Sequence, residues 1–192
     1  MATRLIITQI FYGLAMQKQH GTFILKVFDL FCKASIDAIY LLSIYYSKIY
    51  IVKPYTSRYA NSEKYIVCIG FNKPITQNIK YKFWSILKIL KNVDFKKYNI
   101  SSILDVKQHL YFMNYIEEIN ITLGQRQIEN ILNTIKYIKN KDKSKEKLEK
   151  LKTNNVSKCI KWCETNNIET HKFKDLLLPK NIFLKNNRIN NK

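Results

Sequence analysis

Glycine and proline are scarce, with 4 and 3 among 192 residues. No stretch reads as a glycine-rich phosphate loop or a nucleophile elbow, and no internal repeat recurs. Cysteine is as sparse: Cys32, Cys68, Cys159 and Cys163 are the whole complement. That excludes a disulfide framework and fits the reduced thiols of an intracellular protein. Cys159 and Cys163 stand four apart on an expected helix, without the His pair or second Cys pair that a tetrahedral zinc site needs, so no metal is expected. Long apolar runs are missing too. AIYLLSIYY at 38–46 is about half the ~20 residues needed to cross a bilayer, so no membrane span is expected. The opening MATRLIITQIFYGLAM joins a basic residue to apolar ones as a signal peptide does. Thr8 and Gln9 interrupt it, however, and no small-residue cleavage site follows, which leaves an amphipathic helix.

Negative charge is the remaining shortage. Against 33 Lys plus Arg there are 14 Asp plus Glu, a formal charge of +19. The imbalance points to an acidic partner such as a nucleic acid. Arginine itself is limited to Arg4, Arg58, Arg126 and Arg188; the other 29 basic residues are lysine. With abundant Asn and Ile, this is also what an AT-rich genome produces, so the charge is either a selected binding face or a general lysine excess. The apolar share of 46% and aromatic share of 13% exclude global disorder. The length suits one domain, or a small domain with a helical appendage.

From Ala2 to about Gln19, Leu5, Ile6, Ile10, Leu14 and Met16 approximate a helical stripe that His20-Gly21 ends. GTFILKVFDLF (21–31) reads as a strand, and Lys33 to Ser47 as a helix with a broad apolar face of Ile36, Ile39, Tyr40, Leu42 and Ile44. KIYIVKP (48–54) is a second strand stopped by Pro54, and KYIVCIGF (64–71) a third, ended by Gly70 and Asn72-Lys73-Pro74. This alternation predicts an α/β fold of about three strands, the last pair antiparallel because no crossover helix joins them. After Pro74 the pattern turns helical. Phe83, Leu87 and Leu90 share a face, and Thr122 with Gln125 suits a capping box ahead of an expected core stripe of Ile128, Ile131, Leu132, Ile135 and Ile138. KNKDKSKEKLEKLK (139–152) is a lysine-rich helix or linker with pairs such as Glu146 and Lys150, and the final NNRINNK frays. The expected organisation is therefore an α/β segment at 1–73, a helical extension at 74–138 and a lysine-rich helical tail at 139–192.

Lys26 is the first residue that could carry chemistry. An ammonium inside an apolar strand costs free energy unless it is paired or its pKa falls, or unless its stem reaches solvent at the strand end. Asp29 fits a loop or helix start. Glu63, between a polar loop and an apolar strand, reads as a solvated strand-edge residue or as ordinary turn chemistry in Asn61-Ser62-Glu63.

Taken together, GTFILKVFDLF and KPYTSRYANSEKYIVCIGF resemble the C-terminal half of the FtsJ-like ribose 2′-O-methyltransferases, the cap-specific mRNA type in particular. The match includes the glycine before the strand, Lys-x-Phe-Asp at its end, then Lys-Pro-x-Thr-Ser-Arg-x-Ala-Asn-Ser-Glu and a Tyr-x-Val-Cys strand, and it covers roughly residues 1–71. The resemblance implies a Rossmann-like methyltransferase sheet that uses S-adenosylmethionine to methylate the 2′ oxygen of an RNA ribose. It also implies a Lys-Asp-Lys-Glu tetrad whose second lysine falls on Lys26 and whose glutamate falls on Glu63. A ribose hydroxyl is a poor nucleophile, and a lysine of lowered pKa can take or orient its proton. By the same resemblance Lys53, Ser57, Arg58 and Asn61 are expected to contact RNA, capped mRNA above all.

The family's glycine-rich turn, its acidic ribose-binding residue, its Asp-Gly-Gly motif and the tetrad's first lysine and aspartate have no counterpart in these residues. The expectation is half of a catalytic domain, completed by a separate chain or left as a remnant, with the cofactor-binding residues unknown. A non-catalytic basic RNA-binding module is the competing expectation. Composition further suggests a large DNA virus as the source and the host cytoplasm or a virus factory as the setting.

Overall fold

The structure, a computed structural model, describes residues 2–140 and 145–169. The chain runs α1 (Ala2–Met16), β1 (Thr22–Val27), α2 (Lys33–Tyr45), β2 (Tyr46–Val52), β3 (Lys64–Phe71), α3 (Gln77–Asn92), α4 (Leu110–Lys139) and α5 (Lys145–Thr165). It divides into two units, 1–138 and 139–192. The fold is α/β as expected: a three-stranded sheet of order β1-β3-β2, with β3 antiparallel to both neighbours, followed by helices. In the second unit, α5 buries none of its side chains, and its ion pair joins Lys152 to Glu149 rather than Lys150 to Glu146. The terminal NNRINNK lies outside the described residues.

Strand alternation decides which sheet face is covered. Leu25 and Val27 of β1 and Ile66 and Cys68 of β3 point into the core, while Ile24, Lys26 and Ile69 lie on the other face. α1 and α2 cover the core face with Ile7, Ile10, Leu14, Ile39 and Leu42, all fully buried. Each such aliphatic side chain contributes about 1.5–3 kcal/mol relative to exposure. Gly13 lets α1 lie close to β1, because a Cβ there would sit 2.8 Å from the Phe23 ring. On the opposite face Ile24, Tyr50, Val52 and Ile69 stay exposed.

Three expectations change. The stripe on α1 is Ile6, Ile7, Ile10, Phe11 and Leu14, whereas Leu5 and Met16 are exposed and the helix stops at Met16; the 3.6-residue period rotates those two off the packed face. β2 starts at Tyr46, directly after α2, and ends before Lys53-Pro54. Thr122 and Gln125 cap nothing, since both lie inside α4, and Ile128, Ile131, Leu132, Ile135 and Ile138 are exposed rather than core.

The segment after the sheet docks through a few strong anchors. Thr76 caps α3, its hydroxyl accepting from the Ile79 amide at 3.4 Å. Phe83 stacks on Phe11 at 4.1 Å between ring centroids, and Leu90 is buried with it. Asp37 of α2 is fully buried. Its carboxylate accepts from Lys33 Nζ at 3.0 Å, the Ser102 hydroxyl at 2.6 Å, the Ile103 and Leu104 amides at 3.0 and 3.3 Å, and the Gln108 side-chain amide. Burial alone would raise the Asp37 pKa, but these donors outweigh it and hold the group below its ordinary value. Beyond this clasp, Ile116 of α4 is 1% exposed and Phe112 meets the edge of Tyr40 at 5.0 Å.

Candidate active site

Lys26 and Glu63 come together at one end of the sheet. β1 carries Lys26 opposite Tyr65 of β3, and Glu63 immediately precedes β3. Lys26 Nζ lies 3.3 Å from Glu63 Oε1, with the two side chains 48% and 20% exposed. The lysine is therefore not buried within its strand: it stands on the open face, its ammonium 5.4 Å from the Phe28 ring centroid and 6.0 Å from that of Tyr65. The Tyr65 hydroxyl donates to Glu63 Oε1 at 2.7 Å. That bond, seconded by Lys26 and Asn61, outweighs desolvation and holds the Glu63 carboxyl below its ordinary value.

The loop between β2 and β3 is fastened by two lysines. Lys53 Nζ donates to the main-chain oxygens of Asn61 and Glu63 at 2.9 and 2.8 Å and to Asn61 Oδ1 at 3.1 Å. Lys64, 4% exposed, donates to Ser62 O at 3.1 Å and to Phe28 O. Three successive carbonyls, 61 to 63, thus receive a lysine proton. Desolvation lowers the pKa of both lysines, partly offset by Glu63 for Lys53 and by Asp29 for Lys64, with Lys53 adding to the lowering at Lys64. Asn61 closes the turn, its Oδ1 accepting from the Glu63 amide at 3.2 Å. Ser57 Oγ is buried without a hydrogen-bond partner, and Arg58 is exposed. Of the four residues expected at RNA, then, Lys53 and Asn61 are engaged with the loop itself and Arg58 faces solvent.

Lys64 and Tyr65 were not singled out from sequence. Alternation in β3 contains the signal for both: Lys64 has the parity of buried Ile66 and Cys68, and Tyr65 that of Lys26 across the pair.

The cavities of about 260 Å³ between α1 and α3, 380 Å³ beside Arg4 and Trp84, and 460 Å³ between α2, β2 and α4 have no carboxylate in their walls to bind a ribose diol. None of these three is lined by Lys26 or Glu63. What the site presents is a solvent-facing ammonium–carboxylate pair, steadied by a tyrosine, that can donate to or accept from a hydroxyl.

Residues 1–71 match the family described as FtsJ-like methyltransferase. Over 172 residues the chain is 32% identical to cap-specific mRNA (nucleoside-2′-O-)-methyltransferase 1A of Caenorhabditis briggsae, a match covering 87% of this chain and 19% of the relative. It is 38% identical over 96 residues to cap-specific mRNA (nucleoside-2′-O-)-methyltransferase 1 of Bos taurus, covering 49% of this chain and 12% of the relative. A third relative, from Caenorhabditis briggsae, is named inactive cap-specific mRNA (nucleoside-2′-O-)-methyltransferase 1B and is 30% identical over 172 residues, covering 87% of this chain and 20% of the relative. The chain thus spans about a fifth or less of the length of these relatives. The two 172-residue matches extend past residue 71 into the helical part.

Proposed function

We propose that this chain supplies the second half of an S-adenosylmethionine-dependent site that methylates the ribose 2′-OH of RNA, with the cap region of mRNA as substrate. The observation that carries this is the approach of Lys26 Nζ to Glu63 Oε1, the two residues to which the resemblance assigns the tetrad's second lysine and glutamate. Lys26 orients the 2′ oxygen through an N–H bond and, as the neutral amine left after its ammonium has released a proton to solvent, accepts the hydroxyl proton. Glu63, held by Tyr65, fixes Lys26 over the ribose. The donor would supply the methyl group when bound, and a separate chain would supply its holder. Arg58 meets the RNA, while Lys53, Ser57 and Asn61 set the loop that presents it.

In this reading residues 1–73 are half of a Rossmann-like catalytic domain, 74–138 its helical extension and 139–192 a basic tail, in a cytoplasmic and viral setting. No helix among the described residues is long and apolar enough to cross a membrane. The chain joined to the cofactor-binding half of a relative is expected to move a labelled methyl group to the first ribose of a capped oligonucleotide. Lys26→Ala should abolish transfer and leave donor binding intact; normal transfer by that variant would refute the assignment.

A second reading, a non-catalytic RNA-binding module, draws on the relative named inactive that matches this chain over the same length as the one named methyltransferase 1A. It predicts salt-dependent RNA binding and no methyl transfer after complementation.

A further inference from the structure

α4 reaches the loop of the candidate site. Ile116 is buried, and the Asn120 side-chain amide donates to Leu30 O at 2.9 Å; these anchors fix the helix before Arg126. The Arg126 guanidinium then lies over the ring of Tyr59, 6.0 Å from its centroid. Tyr59 follows Arg58 and precedes Glu63 by four residues. The lysines that fasten this loop are engaged with carbonyl oxygens, whereas Arg58 and Arg126 are exposed and belong to no ion pair among the described residues. Glu129, one turn beyond Arg126, accepts from Gln125 at 2.8 Å instead.

A guanidinium grips phosphate in bidentate fashion and stacks on aromatic rings, and an aromatic side chain stacks an unpaired base whatever its identity. We infer that Arg126 of α4, with Tyr59 and Arg58 of the loop, forms a contact site for the phosphate backbone and one unstacked base of single-stranded RNA, beside the ribose presented to Lys26. The inference rests on the RNA reading above and adds the helical extension to the substrate surface. With its guanidinium over the Tyr59 ring, Arg126 is already partly oriented, so less side-chain freedom is lost when phosphate arrives.

The test is fluorescence anisotropy of the full chain with a labelled, unstructured single-stranded RNA across a salt series. Each lost phosphate contact costs about threefold in affinity near physiological salt and lowers the log–log salt slope for a single strand by about 0.7. Arg126→Ala is expected to do both while the melting temperature stays put, and Arg126→Lys to restore the slope without the full affinity. Tyr59→Leu should weaken binding at an unchanged slope. If the parent chain binds RNA and Arg126→Ala binds equally well, the inference falls and the RNA reading stands. If the parent chain does not bind RNA at low salt, both fall. A lowered melting temperature with unchanged RNA affinity would make the Arg126–Tyr59 contact a packing contact and overturn the inference.

Discussion

Lys64 Nζ donates to the main-chain oxygen of Phe28 at 2.5 Å, tying the end of the strand that carries Lys26 to the loop that carries Glu63. The same ammonium holds Ser62 O. Replacing a buried charge with an apolar side chain is sometimes harmless, but here two carbonyl acceptors would stay behind without donors. Lys64→Met is therefore expected to cost about 1–3 kcal/mol in urea unfolding. Lys26→Met, at a half-exposed pair, should cost less than about 1 kcal/mol. Equal losses for the two would contradict this division of labour.

Tyr65→Phe removes the strongest donor to Glu63 and leaves the ring in place. Its expected effect is a rise of the Glu63 pKa towards the ordinary 4.5, read by carbon-detected NMR titration of the carboxyl group. Because the folded-state pKa of Glu63 is depressed, its contribution to stability is present above 4.5 and lost as pH falls. The variant should lose part of that acid dependence. An unshifted titration would mean that Lys26 and Asn61 set the group without Tyr65.

Asp37 follows the same sign with a buried carboxylate. Its contribution is present above the unfolded value of 3.8 and lost as pH falls through the lower folded value. The protection factors of the Ile103 and Leu104 amides should therefore fall as the pH drops below 3.8, when protonation weakens the charge-assisted bonds. Asp37→Ala is expected to cost about 2–4 kcal/mol at neutral pH and to expose residues 100–108 to proteases, because it orphans several donors at once.

On α4, Ile116→Ala should destabilise by about 2–4 kcal/mol through a cavity, whereas Ile131→Ala should change stability by less than about 0.5 kcal/mol. Thermal melts of the two variants check this. A large loss at Ile131 would return the later isoleucines to the core that their spacing first suggested.

That contrast shows where the sequence was legible. The bounds of β3, Lys64–Phe71, were readable because strand alternation, Gly70 and Pro74 agree. On α4 the isoleucine spacing reported a face correctly, but periodicity carries no information about whether anything packs on it. Thr122…Gln125 looked like a helix start because the pattern is local, while the helix had begun at Leu110 on the strength of distant contacts with α2. At the site, the Lys26–Glu63 partnership came from motif resemblance alone. Composition treated every lysine as surface charge, and the fastening roles of Lys53 and Lys64 depend on which carbonyls the fold turns inward.

β3 is last among the described strands in the chain and central in the sheet. During synthesis β1 and β2 emerge first yet make no ladder with each other, so each lacks a partner within these strands until residues 64–71 leave the ribosome. Insertion of one late segment then zips both sides together and, in the same event, brings Glu63 to Lys26. The Lys26–Glu63 pair thus forms only once β3 joins β1, and a nascent chain stalled before β3 would lack it.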